Sequence, residues 1–354
     1  MASPAKRLKT TPLRIGTHNG HFHADEALAV YMLRLLPEYQ DSTLTRSRDP
    51  AVLEECDIIV DVRNPAPDQS AGFGNRVQGQ YDGTKHFDHH QRTFSETFSP
   101  EFQTKLSSAG LIYKHFATQM ISHRLSIPID DPSITLLYNK VYKDFIEAID
   151  ANDNGISAYP SDVKPAFNDK SISLPSLVGL LNPEWNDPVK TQESEDEKFL
   201  EASKLMGTVF VQKLDYYGKS WLPARDYVVK AMEGRFEHDE KGRILIFPQS
   251  IPWKDHLFTL EVEAGIEEED KKPLYVLYSQ EAEKQGWRIQ CVPVSRDSFE
   301  SRKPLPEPWR GMRDDALSEA SGIPGGVFVH ASGFIGGNET FEGALEMAKK
   351  SLGL

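Results

Sequence analysis

The segment from residue 13 to residue 36 constrains the fold of this chain more than any other. A short apolar run, LRIG, is followed by residues 18–26, which hold three histidines and two acids. Apolar residues then recur at helical spacing up to Pro37: Ala27, Leu28, Tyr31, Met32 and Leu35. The pattern predicts a strand, a loop rich in metal-binding side chains, and a helix that packs into the core.

Strand-like and helical patterns alternate in the rest of the first half. DIIVDV at 57–62 is an apolar run of strand length, and residues 107–121 and 132–149 have helical spacing, with Ser107 or Ser108 as the N-cap of the first. Such alternation is typical of an α/β fold with a mostly parallel, doubly wound sheet. Sites in such sheets form beyond the carboxyl ends of the strands, which is where the histidines and acids lie.

The second half has an α+β pattern. Helical spacing at 195–217 and 223–233 is followed by strand-like runs and a final helix near 340–352. The strand-like runs are RILIF at 243–247, LYVLY at 274–278, WRIQCVPV at 287–294 and GVFVHA at 326–331. We expect four parts: a basic tail (1–12), a metal-binding catalytic domain (13–190), a helical linker (191–220) and a smaller α+β substrate-binding domain (221–354).

Composition narrows the class of protein. The chain has 354 residues and a formal net charge of −13, which excludes a protein that covers nucleic acid non-specifically. Any positive charge that contacts a polyanion must therefore be local. No apolar run reaches the roughly 18 residues of a membrane span. The two cysteines fit a reducing compartment such as the nucleus, the mitochondrial matrix or the cytosol. The basic tail is either solvated or a nuclear-import patch.

Histidines and acids cluster where strands and helices end. Two histidine groups, one in HNGHFH and one in KHFDHH, accompany acids that follow the apolar runs DIIV and FIEAI. Apolar neighbours raise the cost of an unpaired carboxylate, and a bound cation offsets that cost. Six residues are the candidate metal ligands: His18, His23, Asp25, Asp61, His89 and Asp150.

A mixed nitrogen and oxygen ligand set suits manganese, iron or zinc more than calcium. Six ligands are many for one ion. Two ions roughly 3.5–4 Å apart clamp the attacking and leaving oxygens of a phosphoryl displacement. The chain contains neither a GxSxG elbow nor a P-loop. We therefore expect two divalent ions, Mn²⁺ with Mg²⁺ as the alternative, that activate a bridging water.

The triplet Asp88-His89-His90 in FDHHQR resembles the DHH phosphoesterase superfamily, which includes manganese-dependent pyrophosphatases, the RecJ exonuclease and oligoribonucleases. Longer motifs, among them IGTHNGHFHADEALA, AIDANDNGIS, LNPEWN and PWRGMRDDALSEASGIPGG, are similar to the eukaryotic Myg-type (melanocyte proliferating gene) exonuclease family. This resemblance runs from about residue 13 to the C-terminus. It implies a DHH domain, a DHH-associated domain, and a 3′-to-5′ exonuclease of single-stranded RNA in mitochondria and nucleus.

The superfamily pattern also implies a role for each ligand. Carried over by position, it assigns His18 and His23 to one metal ion. It assigns Asp25, His89 and Asp150 to the other ion, and His89 would serve in catalysis as well.

Three further catalytic roles follow from the same resemblance. Asp61 would bridge the two ions, His90 would contact the scissile phosphate, and Asp88 would orient a histidine. His21 has the spacing of the superfamily's first motif, whereas His18 lies one residue too far upstream. Both therefore remain candidates for the same ligand position.

The second domain carries the candidate substrate-binding residues. Its usual glycine-rich signature is altered to GGVFVHASGF, in which Gly325 and Gly326 are retained and His330 is displaced. Glycines allow backbone amides to approach phosphates, although a glycine pair also makes a simple turn. Arg310 and His330 are the candidate groups that bind the nucleotide. Trp309 is either a stacking surface for a base or a core residue.

Three functions remain open on the sequence. The first is a metal-dependent 3′-to-5′ RNA exonuclease. The second is a small-molecule phosphohydrolase, such as a pyrophosphatase or a cyclic-dinucleotide phosphodiesterase, which uses the same chemistry. The third is a non-catalytic metal-binding regulatory protein. We expect no membrane partner, and either a monomer or a homodimer.

Overall fold

The computed structural model describes residues 11–62, 81–160, 162–163, 167–168, 170–188, 190–268, 271–280 and 286–353. The chain divides into two compact units, Met1–Tyr217 and Gly218–Leu354. Most of the predicted basic tail and the turn-rich segment 63–80, predicted as an exposed loop, lie outside the described residues. None of the described helices combines the length and the apolar composition that a membrane crossing requires.

The first unit is built on a parallel sheet of four strands. These are β1 (Arg14–Thr17), β2 (Thr43–Arg46), β3 (Ile58–Val60) and β4 (His86–Phe87), in the order β2-β1-β3-β4. Every neighbouring pair is parallel. All three residues of β3 are buried, so the sheet is covered on both faces there. The carboxyl ends of β1, β3 and β4 therefore meet at one edge.

Seven α-helices accompany this sheet: α1 (Ala24–Arg34), α2 (Pro50–Glu54), α3 (Ser108–Leu125), α4 (Pro132–Val141), α5 (Glu147–Asp153), α6 (Leu174–Gly179) and α7 (Gln192–Tyr216). Of the eleven residues of α1, nine are buried, because α1 packs against both α3 and α7. The predicted linker 191–220 is largely α7, and α7 belongs to the first unit.

A π-helical segment, Tyr142–Ile146, joins α4 to α5 without a break. The extra residue per turn changes which side chains of α5 point to the core. Tyr142 stacks on Phe98 with ring centroids 3.7 Å apart, and its hydroxyl donates to Asp150 over 2.9 Å. Such segments are frequent near functional sites, and this one decides which acid of α5 is turned inward.

The second unit contains a mixed sheet of five strands, β5 (Ile244–Phe247), β6 (Tyr275–Ser279), β7 (Trp287–Cys291), β8 (Gly326–Val329) and β9 (Ile335–Asn338). Their order is β5-β6-β7-β9-β8. Only β5 and β6 are parallel among these neighbours; the other pairs are antiparallel. The α/β prediction therefore holds, with a parallel sheet in the first unit and a mixed one in the second.

Helices cover both faces of this second sheet. They are α8 (Leu222–Gly234), α9 (Lys254–Glu263), α10 (Asp314–Ser321) and α11 (Phe341–Gly353). Side chains alternate along β6: Val276 packs with the cluster of α8 and α9, whereas Tyr275 and Leu277 pack with the cluster of α10 and α11. Two apolar layers thus enclose the sheet.

The contact between α1 and α7 requires a glycine. A Cβ atom at Gly207 would lie 2.0 Å from the ring of Tyr31, so Gly207→Ala must displace a packed aromatic side chain. We expect a loss of about 1–3 kcal/mol in the free energy of unfolding, measured by denaturant titration of tryptophan fluorescence. Gly353→Ala is the control, because nothing lies within 4 Å of a Cβ there. Equal stability of the two variants would contradict this packing.

Candidate metal centre

Three neighbouring parallel strands each end at a candidate ligand. His18 follows β1 directly, Asp61 follows β3, and the Asp88-His89-His90 triplet follows β4. Because the strands are parallel and adjacent in the sheet, these side chains converge at one edge. The carboxyl ends of three adjacent parallel strands thus deliver polar groups to one point.

Asp61 lies at the centre of the cluster. Its φ of 53° is in the left-handed region, which is uncommon for a residue other than glycine. Its N–H donates to Phe87 O, and the Ser108 hydroxyl donates to Oδ1 over 2.9 Å. His18 Nε2 lies 3.4 Å from Oδ2, and His89 Nε2 lies 3.5 Å from Oδ1. The two oxygens therefore face two different histidines.

One group of possible ligands combines His18, His23, Glu26 and Asp61, whose ligand atoms all lie within 4.8 Å of one another. Glu26 is completely buried in the first turn of α1. Its Oε1 accepts the His23 N–H over 2.7 Å and lies 3.2 Å from His18 Nε2. Glu26 therefore ties the start of α1 to the end of β1.

A second group combines Asp25, His89 and Asp153, again within 4.8 Å. His89 Nε2 lies 2.9 Å from Asp153 Oδ2. Asp25 is 1% exposed, and neither of its oxygens accepts a hydrogen bond from any described residue. A buried carboxylate without a donor costs several kcal/mol. A cation at this position would supply what the protein does not.

A third group, Asp61, His89 and His90, connects the first two. His90 Nδ1 lies 2.8 Å from Asp88 Oδ1, and the Gln91 amide donates to Asp88 Oδ2. Asp88 is buried, whereas the ring of His90 is 41% exposed. Asp88 therefore holds a solvent-facing imidazole in a fixed orientation.

The structure does not bring Asp150 to these groups. Its Oδ1 accepts the N–H and the hydroxyl of Ser107, and its Oδ2 accepts the Tyr142 hydroxyl. Asp150 thereby supports the N-terminus of α3, while Asp153, one helical turn later, points to His89. Five of the six predicted ligands converge: His18, His23, Asp25, Asp61 and His89.

Of the two alternatives in the first motif, His18 lies in the cluster. It is 5% exposed and lies beside Asp61. His21 is exposed and lines the entrance, with its ring 5.5 Å from that of His23.

Two distant residues fix the loop between β1 and α1. Arg46, at the end of β2, donates to the carbonyls of His18 (3.2 Å) and Gly20 (2.6 Å). Asn182 accepts the Phe22 N–H and donates to the Phe22 carbonyl, both over 2.9 Å. Both side chains are buried. The loop that carries the first ligands is therefore held by hydrogen bonds rather than left to solvent.

Electrostatics in the cluster are governed by burial and by pairing. Burial raises the pKa of Asp25 well above its usual range, and the nearby charges of Asp61 and Asp153 raise it further. Burial alone would lower the pKa of His18, but Asp61 and Glu26 outweigh it and raise the value to about 10. Without a cation, imidazolium groups thus offset the carboxylates; a metal ion requires neutral imidazole and takes over that role.

Burial and pairing also compete in setting the pKa values of Asp61, Asp150 and His90. Burial would raise the pKa of Asp61, but the imidazoles of His18 and His89 hold it well below its usual range. Burial raises the pKa of Asp150 to about 7 against its bonds from Ser107 and Tyr142. His90 has a raised pKa chiefly because of Asp88.

Asp25, Asp61, His89, His90 and Asp153 line an open cavity of about 490 Å³. His90, His21 and Lys105 contribute its basic side chains. The Lys105 amine lies 3.5 Å from the carbonyl of His89. The volume suits a ligand of small-molecule size, and the cations lie beside the carboxylates.

The predicted substrate-binding residues lie in the second unit. Arg310 is half-buried and its Nε donates to the Leu305 carbonyl. The exposed His330 bonds Ser332 through Nδ1. The neighbouring segments are paired, since Gly311 N–H donates to Val329 O, so Arg310 and His330 are brought close.

Gly325 has a φ of 75°, which a residue with a side chain rarely adopts. Gly326 begins β8, where a Cβ would lie 2.9 Å from Leu317. Trp309 is 2% exposed and belongs to the core cluster of α10 and α11. Packing accounts for Gly326 and Trp309.

The sequence interpretation missed Glu26, Asp153, Lys105, Arg46 and Asn182. Glu26 and Asp153 carried a signal, because each lies within three residues of a candidate ligand on the same helix. Lys105 had none beyond its charge. Arg46 and Asn182 act on residues 26 or more positions away, and no local pattern reveals such contacts.

Comparison with known proteins places this cluster in a family. Residues 14–352 match the family model MYG1_exonuc, described as an uncharacterised protein family (UPF0160). The chain belongs to the MYG1 family. It is 51% identical over 345 residues to a MYG1 protein of Schizosaccharomyces pombe, and this alignment covers 96% of this chain and 97% of the relative.

Other members of the MYG1 family are similar over their length as well. A MYG1 protein of Saccharomyces cerevisiae is 48% identical over 343 residues, with 96% of this chain and 95% of the relative covered. The protein named MYG1 exonuclease in Homo sapiens is 46% identical over 362 residues, with 99% of this chain and 89% of the relative covered. The alignments therefore include both units and the whole cluster.

Asp150 and Asp153 can be separated by matched substitutions. We expect Asp153→Asn to weaken the binding of one ion by at least about 100-fold, since loss of even an outer partner of a ligand costs 10–100-fold. Asp150→Asn should lower the unfolding temperature and keep both ions, because its oxygens bond Ser107 and Tyr142. Mn²⁺ titration calorimetry measures the affinities. An ion lost from Asp150→Asn and kept in Asp153→Asn would reverse the assignment.

The amide of Asn182 gives a second test. Asn182→Ala removes both bonds to the Phe22 backbone, so we expect Mn²⁺ affinity to fall by about 10- to 100-fold while the fold is retained. Asn186→Ala, in the same segment but exposed, is the matched control. Unchanged affinity in Asn182→Ala would show that the loop keeps its shape without this clamp.

Proposed function

We propose that this chain is a metal-dependent 3′-to-5′ exonuclease of RNA and a member of the DHH phosphoesterase superfamily. One observation carries the proposal: the two oxygens of Asp25 are buried without a donor among the described residues, directly beside His89 and Asp153. The DHHQR motif and the relatives named MYG1 exonuclease support the reaction and its substrate class.

The donor set fits divalent cations, because a mixture of imidazole and carboxylate suits manganese, iron or zinc more than calcium. His18 and His23 would hold one ion. Asp25, His89 and Asp153 would hold the other, and Asp61 would contact both, since its two oxygens face different histidines. When bound, two such ions activate a water molecule for attack on the phosphodiester.

The protein's own basic groups would bind the substrate phosphate. The His90 ring faces the cavity and is held by Asp88, which also keeps it protonated at a higher pH than a free imidazole. Lys105 lines the same cavity. With a net charge of −13, the chain repels RNA in general. Local cations would therefore select a strand end that reaches the cavity.

The substrate we propose is single-stranded RNA, because a free 3′ end must enter a cavity of about 490 Å³, which suits about one nucleotide. We further propose action in the nucleus or the mitochondrion, which rests on the family resemblance. Fractionation of cells that express the full chain tests the location. Recovery only in the cytosol would contradict it.

The activity test uses RNA labelled at its 5′ end. With Mn²⁺, we expect products that differ in length by one nucleotide. A blocked 3′ end or a chelator should prevent their formation. Release of phosphate from pyrophosphate without cleavage of RNA would favour the small-molecule phosphohydrolase. Absence of turnover on RNA, pyrophosphate and cyclic dinucleotides would indicate a non-catalytic metal-binding protein.

Substitutions separate metal binding from substrate binding. We expect Asp61→Ala to abolish turnover and weaken both ions, because Asp61 faces both groups. His90→Ala should retain both ions and lower kcat by about 100-fold, the effect of removing one group that binds developing charge. His123→Ala, an exposed histidine on α3, is the control. Loss of metal in His90→Ala, measured by calorimetry, would make His90 a ligand instead.

A further inference from the structure

The second unit contains a separate cavity of about 380 Å³. It lies between the C-terminal end of α8 and β5, the strand at one edge of the sheet. Tyr227 and Lys230 of α8, with Arg235 and His238 of the turn that follows it, line the cavity on one side. None of these residues belongs to the metal centre.

Arg235 is a buried cation without a counter-ion. The residue is 8% exposed, and its Nε has no hydrogen-bond partner among the described residues. Its guanidinium reaches only Met232 Sδ at 3.8 Å and the ring of Phe236 at 4.8 Å. Gly242, with a φ of 68°, packs against its stem and leaves no room for a Cβ. The side chain is thus held in place without a carboxylate.

The neighbouring acids already accept hydrogen bonds from other arginines. Both oxygens of Glu261 accept bonds from Arg302, at 2.6 and 2.7 Å. Both oxygens of Asp239 accept bonds from Arg243. Glu237 is the one acid among the described residues that line the cavity, and it is exposed and forms no ion pair with Arg235.

An uncompensated buried charge is expensive, since removal of one partner from a buried ion pair strongly destabilises a protein. Burial accordingly lowers the pKa of Arg235. Lys230 adds further positive charge to the same wall, in a chain that is strongly acidic. The cavity therefore lacks an anion.

The remaining walls indicate what else the ligand carries. Ile244 and Ile246 of β5 offer apolar surface, and Tyr227 offers an aromatic ring that is 42% exposed. The volume lies in the range of small-molecule sites, roughly 300–1,000 Å³. The held Arg235 together with the exposed Lys230 suits a dianionic phosphate more than a single carboxylate.

We propose that this cavity binds a nucleoside monophosphate, with the phosphate on Arg235 and Lys230 and the base against Tyr227. The site is separate from the metal centre and does not depend on nuclease activity. It gives the second unit a small-molecule ligand of its own.

The test uses the full chain in EDTA, so that no metal ion can recruit a nucleotide to the first unit. The probes are AMP, inorganic phosphate and adenosine, and titration calorimetry measures their dissociation constants. We expect AMP to bind, phosphate to bind more weakly and compete with AMP, and adenosine to bind at least about tenfold more weakly than AMP. Hydrogen exchange with AMP should slow in residues 227–248 and not in residues 18–26.

Two substitutions and a control test the role of the cations. Lys230→Gln, at an exposed position, should weaken AMP at least about tenfold, and Lys349→Gln, an exposed lysine of α11, should leave it unchanged. Arg235→Met should abolish AMP binding and leave the unfolding temperature of the ligand-free protein equal or higher, because it removes an unpaired buried charge.

Three results would overturn the proposal. The first is no binding of AMP in EDTA. The second is adenosine binding as tightly as AMP. The third is an Arg235→Met variant that loses stability while Lys230→Gln binds AMP normally, which would make Arg235 a structural residue. RNA cleavage with Mn²⁺ is measured separately, so these outcomes are distinct from failure of the nuclease proposal.

Discussion

Mutual repulsion among carboxylates buried in one small volume governs the first unit. Asp25, Glu26 and Asp61 are each at most 3% exposed, and Asp153 lies within 4.8 Å of Asp25 through its ligand oxygen. Such a group is stable only if positive charge is built in or bound. Histidines from β1 and β4 supply part of it, and the unsatisfied oxygens of Asp25 show that the protein alone does not supply it all. A cation bound by this cluster would therefore also stabilise the fold.

Part of this centre was predictable because its signal is local. Apolar runs identify β1 and β3, and the parallel arrangement that follows from strand–helix alternation places His18 and Asp61 at one edge. Only a two-residue strand, β4, precedes the DHH triplet, so periodicity could not have found it. The triplet was found by its motif. Likewise, residue propensities do not predict β9, because its sequence IGGN contains two glycines and glycine is rare in strands.

The rest depended on contacts between distant parts of the chain. Asp150 and Asp153 lie on the same helix, and the sequence offers no reason to prefer the second. The π-helical segment and the Tyr142 hydroxyl turn Asp150 toward Ser107, and this leaves Asp153 to face His89. The side-chain amide of Asn182 forms hydrogen bonds with the backbone of Phe22, 160 positions away. Packing rather than periodicity therefore decides which acid faces His89 and how the loop is held.

Each of the two units buries an excess of one charge, negative in the first unit and positive in the second. In the first, buried acids exceed the donors available to them; in the second, Arg235 lacks an acid. The buried pair of Arg302 and Glu261 shows the alternative, since its two bonds satisfy both partners and leave nothing for a ligand. An excess of one charge in a buried place, and not burial itself, therefore marks a position that something must fill. By this criterion we propose a position for cations beside Asp25 and a position for an anion beside Arg235.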